Sequence, residues 1–400
     1  MDIGANRTRL EAWLVLLRAP GLGPAALREL VGEAGDATRA LAAARRGVHE
    51  RTREAACRDW LRAPDRALVE ADLAWLEQPQ HALLACDEAD FPALLEDTAT
   101  PPAALFVAGA ADVLWQPQVA IVGSRSASQG GRANASAFAR ALATAGFAIT
   151  SGLAEGIDGA AHGATLDAGG TTIAVLGTGA DIVYPARHRD LAARIVANGG
   201  ALVSEFPLGT PPHPTHFPRR NRIIAGLSLG TLVVEAGLRS GSLLTSRQAA
   251  EAGREVFAIP GSIHNPLARG CHQLIRTGAK LVETAEEIVA ELAPLAQRLG
   301  ASLRERLHGP EDAAATPAAR PRATPSRADD PDYARLYAAL GHDALDIDTL
   351  ADRSGLSVAA LSSMLLMLEL EGDVVAERGG YACLAGRDRD ARSDPSSERP

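Results

Sequence analysis

Short apolar runs of four or five residues recur through the middle of the chain, each followed by a longer Ala-rich segment with apolar positions at helical spacing. The runs are Val119 to Val122, Phe147 to Thr150, Thr172 to Leu176, Ala201 to Ser204, Thr231 to Glu235, Val256 to Ile259 and Lys280 to Val282. Continuous β-branched runs, as opposed to alternating ones, belong to strands covered on both faces, and the intervening helices supply the covers. The pattern predicts an α/β fold with a doubly wound, Rossmann-like parallel sheet. Ligands of such sheets sit outside the carboxyl ends of the strands, so binding residues are expected just after each run.

Ahead of this core, over about residues 8–33, LEAWLVLLR and AALRELVGEAG read as two short helices joined by Ala19-Pro20-Gly21-Leu22-Gly23-Pro24. Pro24 suits a helix start and the glycines suit the bend. Such a turn serves a helix-hairpin-helix, where it offers backbone N–H groups to phosphates, and equally an ordinary αα-hairpin. Helices with mixed charge are expected to continue to about residue 100, with Asp90 to Pro102 as a domain border. Behind the core, the stretch after Leu299 is rich in Ala, Pro and mixed charge without periodicity, the composition of a disordered linker. DYARLYAAL, IDTLADR and SVAALSSMLLMLELEG then read as three helices, and DVVAERGGYACL as a hairpin around Gly379-Gly380, together a winged helix. The expected organisation is a helical unit over 1–100, the Rossmann-like core over 104–295, a linker over 296–330, the winged helix over 331–385 and a disordered tail over 386–400. A chain of 400 residues has room for these parts, since single cores stop growing near ~250–300 residues.

Composition narrows the class. With 46% apolar and 22% charged residues the chain is globular, not disordered throughout. The apolar run Trp13 to Leu17, closed by Arg18, is too short for a secretory or membrane-spanning segment, so a cytoplasmic location with no membrane partner is expected. Cys57, Cys86, Cys271 and Cys383 are scattered without CxxC pairing, which suits buried thiols in a reducing compartment. The net charge of −9 argues against a nucleic-acid binder until its distribution is considered. Between Val113 and Val282 there are 15 Lys and Arg against 9 Asp and Glu, so this stretch carries +6 and the flanks carry −15. Four windows within it hold no acid: Val113 to Ala154, Phe206 to Val234, Ala236 to Ala250 and Val256 to Val282. Long acid-free windows that contain arginine are what an anion-binding face looks like in sequence, although strands and buried helices also carry few charges.

Three segments hold the candidate binding residues. After the first strand come Gly123, Ser124, Arg125 and Ser126, then Gly130-Gly131-Arg132 and a helix. Glycines admit a phosphate close to the backbone, and a helix start offers free N–H groups. Neither a Walker A lysine nor GxGxxG spacing is present. The third acid-free window holds Phe217, Arg219, Arg220, Asn221 and Arg222, three guanidiniums for bidentate phosphate contacts and a ring for stacking an unpaired base. Arg239, Ser240, Gly241 and Ser242 form a second strand, loop and helix element of the first type. Asp158 is placed to cap the helix that carries His162, for which capping and packing suffice. No nucleophile and base pair, cofactor loop or metal-ligand spacing stands out, and His213 and His216 lie in a proline-rich loop.

The motifs AIVGSRSAS, SGLAEGIDGAAH, TIAVLGTGADIVYP, SEFPLGTPP, FPRRNRIIAGLS, VVEAGLRSGSLLTSRQAAEAGREVFAIPGSI and NPLARGCHQLIRTGAKLVE, in this order over roughly Ala104 to Val289, resemble the DNA-processing protein A family (DprA, also called Smf). The N-terminal helices resemble that family's sterile-alpha-motif-like or helix-hairpin-helix domain, and many members carry a winged helix. The resemblance implies single-stranded DNA binding, loading of the RecA recombinase during natural transformation, a homodimer through the Rossmann-like domain, and no catalysis or cofactor. It carries Gly123, Ser124 and Arg125 onto the family's GSR loop, and Phe217, Arg219, Arg220, Asn221 and Arg222 onto its basic segment. Ser240, Gly241 and Ser242 fall on its second loop. Nucleotide phosphoribohydrolases of the same superfamily, also called lysine decarboxylase-like, are the alternative. Their PGGxGTxxE loop supplies a catalytic Glu, which the stretch Arg239 to Arg247 lacks. Two further expectations follow. Arg125 and Arg222, both after strand ends, should meet one ligand in one groove. The winged helix, whose third helix Ser357 to Leu370 has no Lys or Arg, should meet a protein and not DNA.

Overall fold

The computed structural model describes residues 3–308, 331–340, 345–356, 361, 364–365, 368, 374–377 and 380–383. They fall into two compact units, Met1–Gly309 and Pro310–Pro400. The first unit opens with five helices, α1 (Ile3–Leu17), α2 (Pro24–Ala34), α3 (Ala37–Arg45), α4 (Ala55–Arg62) and α5 (Arg66–Leu76), then strands β1 (His81–Ala85) and β2 (Ala104–Gly109). The alternating core follows as β3 (Gln118–Val122), α6 (Gln129–Thr144), β4 (Ala148–Ser151), α7 (Ile157–Asp167), β5 (Thr172–Val175), α8 (Arg189–Ala197) and β6 (Ala201–Ser204). It continues through α9 (His216–Leu227), β7 (Gly230–Val233), α10 (Ser242–Glu251), β8 (Glu255–Ala258), α11 (Arg269–Arg276), β9 (Lys280–Leu281) and α12 (Ala285–His308).

One nine-stranded sheet organises this unit, in the order β1-β2-β6-β5-β4-β3-β7-β8-β9. From β6 to β9 every pair is parallel, while β1 and β2 are antiparallel additions at the β6 edge. The chain winds outward from β3 to β6, then returns to lay β7, β8 and β9 on the other side of β3. That reversal leaves a crevice between the carboxyl ends of β3 and β7. Period-two burial explains the layers. Val119 and Ile121 pack with Phe138, Leu142, Ile157 and Ile288 of α6, α7 and α12, whereas Ala120 and Val122 pack with Ile223, Ile224 and Leu227 of α9. All seven expected strands are present, each within a residue or two of its expected limits.

Three expectations need correction. Residues 34–100 are not helical throughout, because His81–Ala85 is a strand paired residue for residue with Ala104–Ala108. Asp90 to Pro102 is no break in packing, since Trp13, Leu14 and Leu16 of α1 share one buried cluster with Ala85, Ala104 and Phe106. The bidentate ion pair of Arg18 with buried Asp72, at 2.6 Å for both bonds, ties α1 to α5. Finally, α12 continues to His308, so the segment expected as linker from residue 296 begins as helix, and its remainder, 309–330, lies outside the described residues.

The second unit contains α13 (Pro331–Ala339), α14 (Ile347–Ser354) and the antiparallel hairpin of β10 (Val374–Glu377) with β11 (Gly380–Cys383). Leu336, Leu350, Leu361 and Leu365 form its buried core, and Leu345 bridges to Tyr381. This is the fold of a winged helix. Of the expected third helix over 357–372, only residues 361, 364, 365 and 368 are described, and the tail 386–400 lies outside. No described helix is long and apolar enough to cross a membrane.

Candidate functional site

The crevice between β3 and β7 widens into an open groove of about 760 Å³. The loop after β3 contributes Gly123, Ser124, Arg125 and Ser126, and the loop after β7 contributes Gly237, Arg239, Ser240, Gly241 and Ser242. The first turns of α9 bring Phe217, Arg220 and Asn221, and the loop after β5 brings Tyr184. Three arginines and a single carboxylate, Asp158, line it. Eleven of the thirteen residues singled out in sequence thus converge on one place, and Arg219 and Arg222 do not.

Helical periodicity separates these arginines. Residues three apart share a face of α9, so Phe217 and Arg220 turn to the groove while Arg219 and Arg222 turn away together. Both of the latter meet Glu205, which is 5% exposed: Arg222 donates to one of its oxygens, and Arg219 lies 3.5 Å from the other. Arg219 also covers the Phe206 ring, 5.3 Å from its centroid. On that side they border small recesses shared with Gly23 and Pro24 of the α1–α2 turn. Arg222 therefore does not join Arg125 in one groove. Its charge is committed to Glu205.

Arg220 faces the groove but is buried. Its guanidinium donates to Gly152 O at 2.6 Å, to Val175 O, and to Asn221 Oδ1 at 3.0 Å, which clamps the carboxyl ends of β4 and β5 to α9. Burial lowers its pKa to about 10, against the opposing pull of Asp158. A Cβ at Gly152 would collide with this guanidinium, so the glycine is what admits it. Phe217 lies under Arg125 at 5.2 Å and near Arg220 at 5.9 Å, with the half-exposed Tyr184 ring 5.6 Å away. Arg125 and Arg239 are the exposed cations of the groove.

The loop after β3 also differs from its expected role. The carboxylate of Glu235, at the end of the β7 run, accepts from Ser128 N at 2.8 Å and Ser128 Oγ at 2.6 Å, which places it at the start of α6. Ser128 N, Ser128 Oγ and Gly131 N, three of the donors expected there, are already used. The N-cap of α10, Gly241, brings no side chain, and its first turn opens on the groove, where Ser242 N meets Ser240 Oγ at 3.4 Å and the Ser240 and Ser242 hydroxyls pair at 2.7 Å. A helix start of this kind favours an anion through its N–H groups and dipole.

Asp158 does not cap α7, whose N-cap is Gly156. Its buried carboxylate accepts from Gly152 N at 3.1 Å and Ala154 N at 3.3 Å, and burial raises its pKa despite Arg220. Gly156 takes φ of +79°, and a Cβ there would collide with Ser124 O, so it lets α7 press against the loop after β3. His162 is enclosed by packing. Thr172 Oγ1 donates to Ile149 O at 2.6 Å, so His162 Nδ1 donates to that hydroxyl at 2.7 Å. Burial first, then His188 and Arg220, push its pKa down to about 3. A depressed histidine contributes full stability above its unfolded pKa of about 6.5 and loses it as pH falls toward 3. Urea titrations should show wild type losing about 1.4 kcal/mol more per pH unit than His162→Gln between pH 6 and 4. Parallel pH dependences would contradict a neutral, buried His162.

Sequence reasoning missed Tyr184, Gly152, Gly156 and Glu235. Tyr184 was within reach, for it follows a strand end, and the glycines showed no signal apart from their number.

An open groove at the reversal of a doubly wound sheet, with exposed arginines, aromatic rings and an uncapped helix start, defines an anion-binding protein of the Rossmann type. More narrowly, the chain belongs to the DNA recombination-mediator protein A family, whose model matches residues 82–293, and a DprA winged helix domain matches 320–380. Protein Smf of Escherichia coli K12 is 46% identical over 319 residues, 80% of this chain and 82% of that one. DNA processing protein DprA of Streptococcus pneumoniae is 48% identical over 201 residues, 50% of this chain and 71% of its own. The X-ray structure of DprA from Streptococcus pneumoniae matches with a TM-score of 0.62 at 36% identity, covering 70% of this chain and 97% of that one.

Proposed function

We propose that the groove binds single-stranded DNA. Phosphates lie against Arg125, Arg239 and the start of α10, with the buried charge of Arg220 behind them. Unpaired bases stack on Tyr184 and Phe217. The observation that carries this reading is the convergence of exposed guanidiniums, an open helix start and aromatic rings in a groove whose one carboxylate faces Arg220. Stacking platforms beside cations suit single strands, because every unpaired base offers a π-face and duplex bases do not. In this proposal Gly123, Ser124, Ser126, Asn221, Ser240, Gly241 and Ser242 shape the groove, and Arg219 and Arg222 hold its outer wall through Glu205.

Membership of a recombination-mediator family supports the further reading that the bound strand is protected and handed to the RecA recombinase during DNA uptake, by a cytoplasmic homodimer paired through the Rossmann-like domain, without catalysis or cofactor. The missing catalytic Glu between Arg239 and Arg247 weighs against a phosphoribohydrolase. Mobility-shift titrations with matched single- and double-stranded oligonucleotides of several sequences test the binding. Tighter binding to single strands, nearly independent of sequence, is expected. Equal affinity for duplex would overturn the reading.

A further inference from the structure

Glu235 is the single acid between residues 206 and 250, in the most basic part of the chain. It is nonetheless 7% exposed, and no described Lys, Arg or His lies within ion-pair distance of its carboxylate. Its oxygens are held instead by Ser128 N and Oγ, with Asn265 Nδ2 at 3.4 Å. Ser128 Oγ in turn accepts from Gly131 N at 2.9 Å, so the carboxylate is linked through one hydroxyl to the first turn of α6. A Cβ at Gly131 would collide with the Glu235 carboxylate, and Ser124 N donates to Glu235 O at 2.7 Å, which fixes the residue against the loop after β3. In doubly wound sheets the start of the helix after the first strand is where a nucleotide phosphate sits. Here a carboxylate sits there.

We propose that Glu235 is a built-in anion that fills the phosphate seat at the start of α6 and excludes a mononucleotide phosphate from it, while the start of α10 across the crevice stays open. Two features carry this. The Ser128 donors that a phosphate would need are spent on the carboxylate. A phosphate brought beside them would also face a buried like charge with no cation to offset it. At α10 no carboxylate holds the helix start, whose N-cap Gly241 lies open to solvent and whose Ser242 N meets a neutral hydroxyl, Ser240 Oγ, at 3.4 Å. The fold thus discriminates against mononucleotides at one loop while the other stays free for a backbone phosphate. The inference rests on the DNA-binding reading only for what occupies the open seat.

Amide spectra of the full-length, isotope-labelled protein, titrated with inorganic phosphate and with adenosine monophosphate, test it. In the wild type, shifts should appear at Gly241 and Ser242 and be absent at Ser128 and Gly131. In Glu235→Ala they should extend to Ser128 and Gly131, with affinity for the monophosphate raised about tenfold, the weight of one charge-assisted contact. Glu235→Ser, which returns a small acceptor to Ser128, serves if the alanine variant does not fold. Phosphate shifts at Ser128 and Gly131 in the wild type would overturn the proposal, as would a folded variant with no gain. Binding of an oligothymidine, measured alongside, separates the two readings: its absence in the wild type would refute the DNA reading and leave the exclusion intact.

Discussion

Replacing Arg220 by alanine is expected to destabilise the core by about 3–5 kcal/mol, the combined cost of two buried carbonyls left without donors and a lost counter-charge. Three consequences add up at one site. The buried Asp158 loses the positive charge that faces it, two strand-end carbonyls at Gly152 and Val175 lose their donors, and the space above Gly152 empties. Chemical denaturation of the full chain should show the loss, and Arg220→Lys should recover part of it, since a point charge restores the positive charge facing Asp158 but not the fork of hydrogen bonds. Stability within about 0.5 kcal/mol of wild type for Arg220→Ala, the range of a neutral surface change, would mean that Arg220 does not clamp the strand ends.

Phe217→Ala is expected to weaken binding to an oligothymidine by about 1–3 kcal/mol, the range for one base–aromatic contact. The ring supports Arg125 on one side, approaches Arg220 on the other and lies beside Tyr184. Its removal therefore takes away a stacking face and frees the exposed guanidinium above it. Because no charge is removed, the dependence of affinity on salt should remain close to that of the wild type. Phe217→Tyr should keep most of the affinity. Unchanged binding by a folded Phe217→Ala would place the bases elsewhere.

How far the sequence reveals this arrangement depends on which physical signal each part leaves. The parallel strands are legible because burial on both faces forces short β-branched runs such as Val119 to Val122, repeated between helical segments. HALLA at 81–85 is not, since Ala and Leu suit a helix as well, and its strand state is imposed by pairing with Ala104–Ala108. The end of α12 is hidden for the opposite reason, because Ala, Arg and Glu in mixed order read equally as linker or helix. At the site, composition marks Phe217 to Arg222 as a donor cluster, but composition has no direction. Recognising α9 over these residues sorts the cluster: positions 217 and 220 share one face, 219 and 222 another. Glu235 illustrates a further limit, for its partners Ser128 and Gly131 lie more than a hundred residues away, and only the sheet order brings β7 beside β3.

In the proposed complex Arg125 contacts phosphate from the groove and Arg222 does not. Single-strand affinity measured against salt concentration for wild type, Arg125→Ala and Arg222→Ala separates the roles of the two arginines. Neutralising one phosphate contact on a single strand flattens the plot of log K against log salt by about 0.7. That loss of slope is expected for Arg125→Ala, uniform across sequences, and a wild-type slope for Arg222→Ala, whose charge is spent on Glu205. A wild-type slope for a folded Arg125→Ala, or a flattened one for Arg222→Ala, would contradict these roles.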